Sequence, residues 1–355
     1  MEKIYVDLKE RSYFIYFEDD FEYLSRLLEE RTDWKKFLIV TDSNVDKEYA
    51  ASIEQILTNA GKQCCKFVFN AGEQSKCLKT ISDIYRVCID NRLDRNSVII
   101  ALGGGVTGDM AGFAAATYMR GIRFIQVPTS LLAQVDSSVG GKVGVDFQGT
   151  KNIIGAFHQP AFVYINISTL KTLPKREFVS GMAEVIKHAV IYDSAFFDYL
   201  EQNMDQILSL DLRTLRYVIK RNCEIKSSIV QQDEKEQGLR AILNFGHTIG
   251  HAIESVYNFQ FLHGECVSLG MVAVGRLACN MDIFSAEDHD RMTALLKKVG
   301  LPVKLENVDV EAVYNEMLKD KKQRDNQLKF ILPVEIGKVI QSTEITKDMI
   351  FDVLK

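Results

Sequence analysis

The sequence predicts a two-domain protein: an α/β domain built on a parallel sheet over residues 1–173, then a mainly α-helical domain over residues 174–355. Three observations predict it. A chain of 355 residues is long for one hydrophobic core and favours a split. In its first half, short continuous apolar runs alternate with helix-like stretches, the pattern of parallel strands covered on both faces. Beyond about Thr172 apolar positions recur at helical spacing and strand signals almost vanish.

The elements follow in order. Ile4 to Leu8 and Tyr13 to Phe17 flank a polar Lys-Glu-Arg-Ser turn and predict a hairpin, with Tyr13, Phe14, Tyr16 and Phe17 in the core. Phe37 to Thr41 is a buried strand, followed by a helix-like segment to about Ala60. Lys66 to Phe69, Val98 to Leu102, Ile122 to Val127 and Phe162 to Ile165 continue the sheet. The boundary falls in the segment Thr172 to Phe178. After it, Phe178 to Ile191, Leu212 to Val230, Ile242 to Val256 and Val267 to Met281 carry helical periodicity, and Lys329 to Val334 pairs with Lys338 to Gln341.

Composition excludes several classes of function. Hydrophobic residues at 46% and charged residues at 26% are those of a globular protein and exclude a disordered or fibrous chain. With 43 basic against 48 acidic residues the net charge is −5, which leaves no basic excess for gripping a nucleic-acid duplex. Seven cysteines, an odd number with no Cys-x-x-Cys pair, read as reduced thiols of a cytoplasmic chain rather than disulfides or a structural zinc site. The charged start lacks an apolar signal core, and no apolar run approaches the roughly 18 residues of a membrane helix.

The most informative stretch runs from Val98 through Met119. A buried strand ends in Gly103, Gly104 and Gly105, followed by Val106, Thr107, Gly108 and Asp109 at the head of a small-residue helix. Glycines there allow close backbone approach, and a helix start offers free N–H groups to an anion. Gly103-x-Gly105-x-x-Gly108 formally satisfies the fingerprint of Rossmann-like dinucleotide sites. Against that, several strands precede it, and the next strand ends in Gln126-Val127-Pro128 without the acid that binds a ribose. Phosphate or dinucleotide binding and a tight structural turn both remain open.

Asp136, Lys142, Asp146, Lys151 and Asn152 then lie among glycines and apolar residues. Lysines so placed suit a phosphate or carboxylate, although solvated loop lysines are the ordinary case. Arg120, after the small-residue helix, reads equally as a favourable charge at a helix C-terminus. In the helical half, Glu184, Lys187 and His188 share one helix face, as do His247 and His251, and His263 stands beside Glu265. Two imidazoles with one carboxylate are a common catalytic zinc arrangement. Spacing favours His247 and His251 as the ligand pair, with Glu184 or Glu254 as third ligand; caps and carboxylate-paired histidines are the competing reading. The charged run Asp320, Lys321, Lys322, Arg324, Asp325 reads as a solvated turn.

Taken together, the segments Gly103–Gly121, Pro128–Asp146, Lys151–Pro160, Gly181–Ala189, Asn244–Glu254 and Leu262–Glu265 resemble the 3-dehydroquinate synthase family in order and spacing. The resemblance runs from about Ile39 to the final strands. It implies a dehydroquinate synthase-like fold and a monofunctional cytoplasmic lyase of the shikimate pathway. Such an enzyme converts 3-deoxy-D-arabino-heptulosonate 7-phosphate to 3-dehydroquinate and phosphate. Transient oxidation by NAD, phosphate elimination, reduction, ring opening and aldol closure make up the reaction, with one divalent metal, zinc or cobalt, per subunit.

The resemblance further implies residue roles. Glu184, His247 and His263 hold the metal, and His251 moves to substrate contact. NAD contacts fall on Asp42 and Asn44, on Ala71, Gly72, Glu73, Gln74, Ser75 and Lys76, and on Gly105, Val106, Thr107, Gly108 and Asp109. Thr129, Ser130, Lys142, Lys151 and the segment Thr169, Leu170, Lys171, Thr172 complete that set, and Asp42 becomes the candidate for the ribose. Substrate contacts fall on Asp136, Lys142, Asn152, Lys187, Lys226, Arg240, Asn244 and His251. Lys142, Asn152 and Lys187 are implied to take the phosphate, and Lys226 and Arg240 the carboxylate. Arg120 is implied to reach across a homodimer interface, and Lys321 joins the substrate set in place of a solvated turn. Two rivals keep the layout: a sibling sugar-phosphate cyclase with a different substrate shell, and a metal-dependent alcohol dehydrogenase of the glycerol dehydrogenase type.

Overall fold

The computed structural model describes residues 2–257, 260–306, 308–323 and 328–355, the side chains of 320–323 excepted. It divides into two compact units: Met1–Leu173 with Leu215–Lys235, and Pro174–Thr214 with Glu236–Lys355. The stretch 215–235, which the sequence reading places after the boundary, thus groups with the first unit.

The first unit contains β1 (Glu2–Val6), β2 (Tyr13–Glu18), α1 (Glu22–Glu29), β3 (Lys36–Asp42), α2 (Ala51–Asn59), β4 (Gln63–Phe69), α3 (Leu78–Asp90) and β5 (Val98–Gly103). It continues with α4 (Gly105–Thr117), β6 (Arg123–Pro128), β7 (Lys142–Phe147), β8 (Thr150–Phe157) and β9 (Phe162–Asn166). Seven strands form one sheet in the order β1-β2-β9-β6-β5-β3-β4. β1 and β2 are the expected antiparallel hairpin, and the other neighbours pair in parallel. All six residues of β5 are buried, which explains its unbroken apolar run. One face packs Leu38, Val40, Ile99 and Ala101 against Ile81, Ile84, Met110 and Ala114 of α3 and α4. The other packs Phe37, Ile39, Ile100 and Ile125 against Leu24, Leu28, Ile53 and Leu57 of α1 and α2. A fully buried side chain of this size contributes roughly 2 kcal/mol, so these central strands hold the sheet and fix the loops at their carboxyl ends.

The segment after β6 differs from expectation. Lys142 to Phe157 is a second hairpin, β7 with β8, rather than a loop. Val143, Val145, Ile154 and Ala156 face the core beside α4, while Phe147, Ile153 and Phe157 are exposed. Gly144 and Gly155 stand opposite each other, where a Cβ would lie 2.6 and 2.3 Å from partner-strand carbonyl oxygens. These glycines and the interspersed charges mask the two-residue alternation. Gly112 seats the hairpin, since a Cβ there would lie 2.4 Å from Val143 Cγ1.

The second unit contains α5 (Lys175–Tyr192), α6 (Ser194–Leu208), α8 (His247–Val256), α9 (His263–Asn280), α10 (Ala286–Val299), α11 (Val310–Gln323), β10 (Phe330–Glu335), β11 (Lys338–Ser342) and α12 (Lys347–Leu354). Helix α7 (Leu212–Gln232) begins in this unit and runs mostly in the first. β10 and β11 pair antiparallel as expected. Every residue of α5 from Phe178 to Ile191 is buried, so its polar members Glu184, Lys187 and His188 sit inside the unit. Asp320, Lys321 and Lys322 belong to the last turns of α11, where the Lys321 side chain lies outside the described residues, as do Arg324 and Asp325. Among the described residues no helix is long and apolar enough to cross a membrane.

Candidate active site

In the first unit the candidate residues gather at the carboxyl ends of the parallel strands. Helix α4 starts at Gly105, with only Gly104 between it and the end of β5, and no side chain caps it. The first N–H of this segment to find a helical carbonyl is that of Gly108, which donates to Gly104 O at 3.0 Å. The amides before it have no helical acceptor and are the groups an anion there would meet. None of these glycines has a positive φ. Gly103 and Gly108 are instead demanded by packing: a Cβ would lie 2.4 Å from Thr107 Oγ1 and 2.8 Å from Gln126 Oε1 respectively. Packing thus accounts for Gly103 and Gly108 as a tight structural turn.

Around that turn, the Lys76 ammonium is buried and donates to Asp109 Oδ2 at 2.6 Å and to Asn152 Oδ1 at 2.5 Å. Lys151 Nζ lies 3.5 Å from Glu73 Oε1. Asp146 Oδ1 accepts from the Asn152 amide at 2.8 Å, holding Asn152 in a left-handed backbone conformation. Burial raises the Asp109 carboxyl, with Lys76 opposing. Burial would lower the Lys76 ammonium, but Asp109 and Glu73 raise it on balance. At 2.6 Å each is the other's principal charge partner. Asn152 joins this cluster through Lys76, although the family resemblance puts it with the substrate phosphate.

The remaining first-unit candidates hold the loops. Asp42 Oδ1 accepts from the amides of Asn44 and Val45 at 2.8 and 3.2 Å. Ser43 Oγ accepts from the Ala71 amide at 3.1 Å, Gly72 has φ +120°, and Gln74 Nε2 donates to Ala71 O. Ser75 Oγ donates to Asn70 O. The Thr129 amide donates to Gly103 O, tying β6 to β5, and Ser130 Oγ accepts from the Ala133 amide. Thr169 is buried beside Leu170 and accepts from Gln134 Nε2 at 3.0 Å, while the Thr172 hydroxyl meets the Tyr49 hydroxyl. Lys171 is exposed, as is Lys142 at the start of β7. Lys226 of α7 is buried and donates to both the carboxylate and the backbone oxygen of Asp136 at 2.6 Å. Arg120 is exposed in a turn where Met119, Arg120 and Gly121 all have positive φ.

In the second unit Glu184, His247 and His263 converge. Glu184 is fully buried on α5; its Oε1 lies 3.1 Å from His263 Nε2 and 3.5 Å from His247 Nε2. The donor atoms of Glu184, His247 and His263 lie within 4.8 Å of one another, a spacing one divalent cation could bridge. His247 Nδ1 faces Phe245 O at 3.0 Å, which directs Nε2 inward. Burial would raise the Glu184 carboxyl, but Lys187 and the two imidazoles hold it well below 4.5. Burial and the Lys187 ammonium hold His247 well below 6.5. A carboxylate and a neutral imidazole are the protonation states a cation needs. Lys187 pairs with the second oxygen of Glu184. The His247–His251 pair favoured by spacing does not meet at this carboxylate; His251 is exposed and forms a second group with Glu254 and His263. Arg240 is buried, and Asn244 Nδ2 donates to Glu236 Oε1 at 2.9 Å.

The glycines that bring these helices together were not legible as such. A Cβ on Gly264 would lie 1.9 Å from Ser180 O, and one on Gly270 would lie 1.9 Å from Gly246 O. Each sits beside a donor in space: Gly264 follows His263, and Gly246, at φ +77°, precedes His247. A signal existed in the four- and six-residue spacing of Gly246, Gly250, Gly264 and Gly270, but glycine in a helix equally weakens it.

The fold is that of the sugar-phosphate cyclases. The structure matches 2-epi-5-epi-valiolone synthase from Streptomyces hygroscopicus subsp. jinggangensis, solved with NAD+ and Zn2+, at 26% identity and TM-score 0.89 over 98% of this chain and 97% of that one. It also matches 2-deoxy-scyllo-inosose synthase complexed with carbaglucose-6-phosphate, NAD+ and Co2+, at 25% identity and TM-score 0.87 over 99% of each chain. In sequence, residues 66–180 match the family 3-dehydroquinate synthase N-terminal and residues 181–323 match 3-dehydroquinate synthase C-terminal. The 3-dehydroquinate synthase of Acetivibrio thermocellus is 53% identical over 99% of this chain and 98% of its own length. The chain belongs to the 3-dehydroquinate synthase family.

Proposed function

We propose that the chain converts 3-deoxy-D-arabino-heptulosonate 7-phosphate to 3-dehydroquinate and phosphate. The observation that carries the reading is the buried Glu184 carboxylate facing His247 and His263, in a chain 53% identical to a named 3-dehydroquinate synthase. When bound, NAD would supply reversible hydride acceptance at the ring hydroxyl, and a divalent cation on Glu184, His247 and His263 would supply polarisation of that hydroxyl.

The chain's own groups do the rest. The amides opening α4, with Asp42, Lys76 and Asp109, would seat the dinucleotide. The Lys76–Asp109 pair would hold its ammonium at one place, since Lys76 is buried and also donates to Asn152. Lys142, Asn152 and Lys187 would bind the substrate phosphate, and Lys187 would stabilise charge as phosphate departs. Lys226 and Arg240 would orient the carboxylate, Arg240 through its planar fork. Asp136, Asn244 and His251 would position the ring hydroxyls. The departing phosphate is itself basic enough to take the acidified proton, so a dedicated protein base is not required. Arg120, acting across a homodimer interface, and Lys321 would complete the substrate shell.

A sibling-cyclase reading draws support from the match to 2-deoxy-scyllo-inosose synthase, but at 25% identity against 53%. Incubation with the heptulosonate phosphate and, separately, with glucose 6-phosphate tests the choice. Dehydroquinate should form from the first and no carbocycle from the second; the reverse pattern would establish the sibling activity.

A further inference from the structure

We propose that Arg176, acting through Glu265, is a positioning residue for the cation site, setting the place of His263. Arg176, Ser180 and Glu184 are spaced by four on α5 and form one ridge along it. Three consecutive residues at the start of α9 lie on that ridge in reverse order. His263 Nε2 lies 3.1 Å from Glu184 Oε1. The Gly264 amide donates to Ser180 Oγ at 3.1 Å. Glu265 accepts from Arg176, with Nε to Oε1 and Nη2 to Oε2 both at 2.8 Å.

The fork is also tied to the approach segment. Arg176 Nη2 donates to Gln260 O at 3.1 Å, and Glu265 Oε2 accepts from the Leu262 amide at 2.8 Å. The backbone on both sides of His263 is therefore anchored to the helix that carries Glu184. The Arg176 side chain remains 59% exposed, so its removal costs the fold little. Its effect falls on the first turn of α9, where fraying would carry the His263 imidazole out of register with Glu184 and His247. Partners that orient a metal-bound histidine typically change affinity 10- to 100-fold when removed.

The inference rests on the cation reading above, and the experiment separates the two. Protein stripped of metal with a chelator is titrated with Co2+ against a chromophoric competitor, and the melting temperature of the stripped protein is measured alongside. The wild-type chain should bind one Co2+, and Arg176→Met should raise the dissociation constant about tenfold with the stripped protein melting as before. Glu265→Gln should match Arg176→Met, the double variant should add nothing further, and Arg176→Lys should fall between, because an ammonium cannot reproduce the fork. Unchanged Co2+ affinity in Arg176→Met, additive effects in the double variant, or a weakening matched by lost melting temperature would overturn the proposal. A wild-type chain that takes up no Co2+ would overturn the cation reading itself, and the proposal with it.

Discussion

Glu184 shows why a buried charge belongs to a site and not to the core. A carboxylate with no exposed surface persists only beside compensating charge, and Lys187 supplies it. Two imidazoles facing the same oxygen leave room for a second, divalent partner. Replacing Glu184 by Gln should abolish tight Co2+ binding while NAD affinity, measured by protein fluorescence, stays within about threefold. It should also cost the metal-free protein about 3 kcal/mol in denaturant unfolding, because Lys187 loses its buried partner. Retention of one tightly bound Co2+ would refute the ligand assignment. The i, i+4 spacing made His247 and His251 equally eligible in the sequence. The choice of His263 depends on where α9 starts relative to α5, a distance between segments that no local spacing encodes.

Helix packing decides that distance. α9 meets α5 and α8 through glycines at which any side chain would collide with a backbone carbonyl. Gly264→Ala should destabilise the chain by about 1–3 kcal/mol as an overpacked contact and weaken Co2+ binding by moving His263. Thermal melting and metal titration of the same preparation check both, and a variant with native stability and affinity would show that the helix start yields without cost. The parallel strands were readable because burial on both faces writes continuous apolar runs such as Val98 to Leu102. The β7–β8 hairpin was not, because Gly144, Gly149 and Gly155 and the charges at Lys142, Asp146 and Lys151 break the alternation that marks a strand. The glycine turn was half legible. Its position after a strand suggests an anion site, and which glycines serve packing appears only when Thr107 and Gln126 are in place.

Over the whole chain, a net charge of −5 hides buried cations in each unit: Lys76 and Lys226 in the first, Lys187 and Arg240 in the second. Burying such groups is costly unless each has a partner, and Lys76, Lys187 and Lys226 pair with Asp109, Glu184 and Asp136. The glycine turn lies in the α/β unit and the carboxylate–imidazole set in the helical unit, so the proposed cofactor and cation functions are separated along the chain. The central claim is a net non-redox reaction that nevertheless uses NAD catalytically. It is tested by following phosphate release from 3-deoxy-D-arabino-heptulosonate 7-phosphate together with absorbance of reduced cofactor, with and without added NAD and with chelator. Phosphate should be released in many turnovers per bound NAD, without accumulation of NADH, and release should stop on stripping either NAD or metal. Stoichiometric NADH would establish a dehydrogenase instead, and phosphate release that needs neither NAD nor metal would contradict the account.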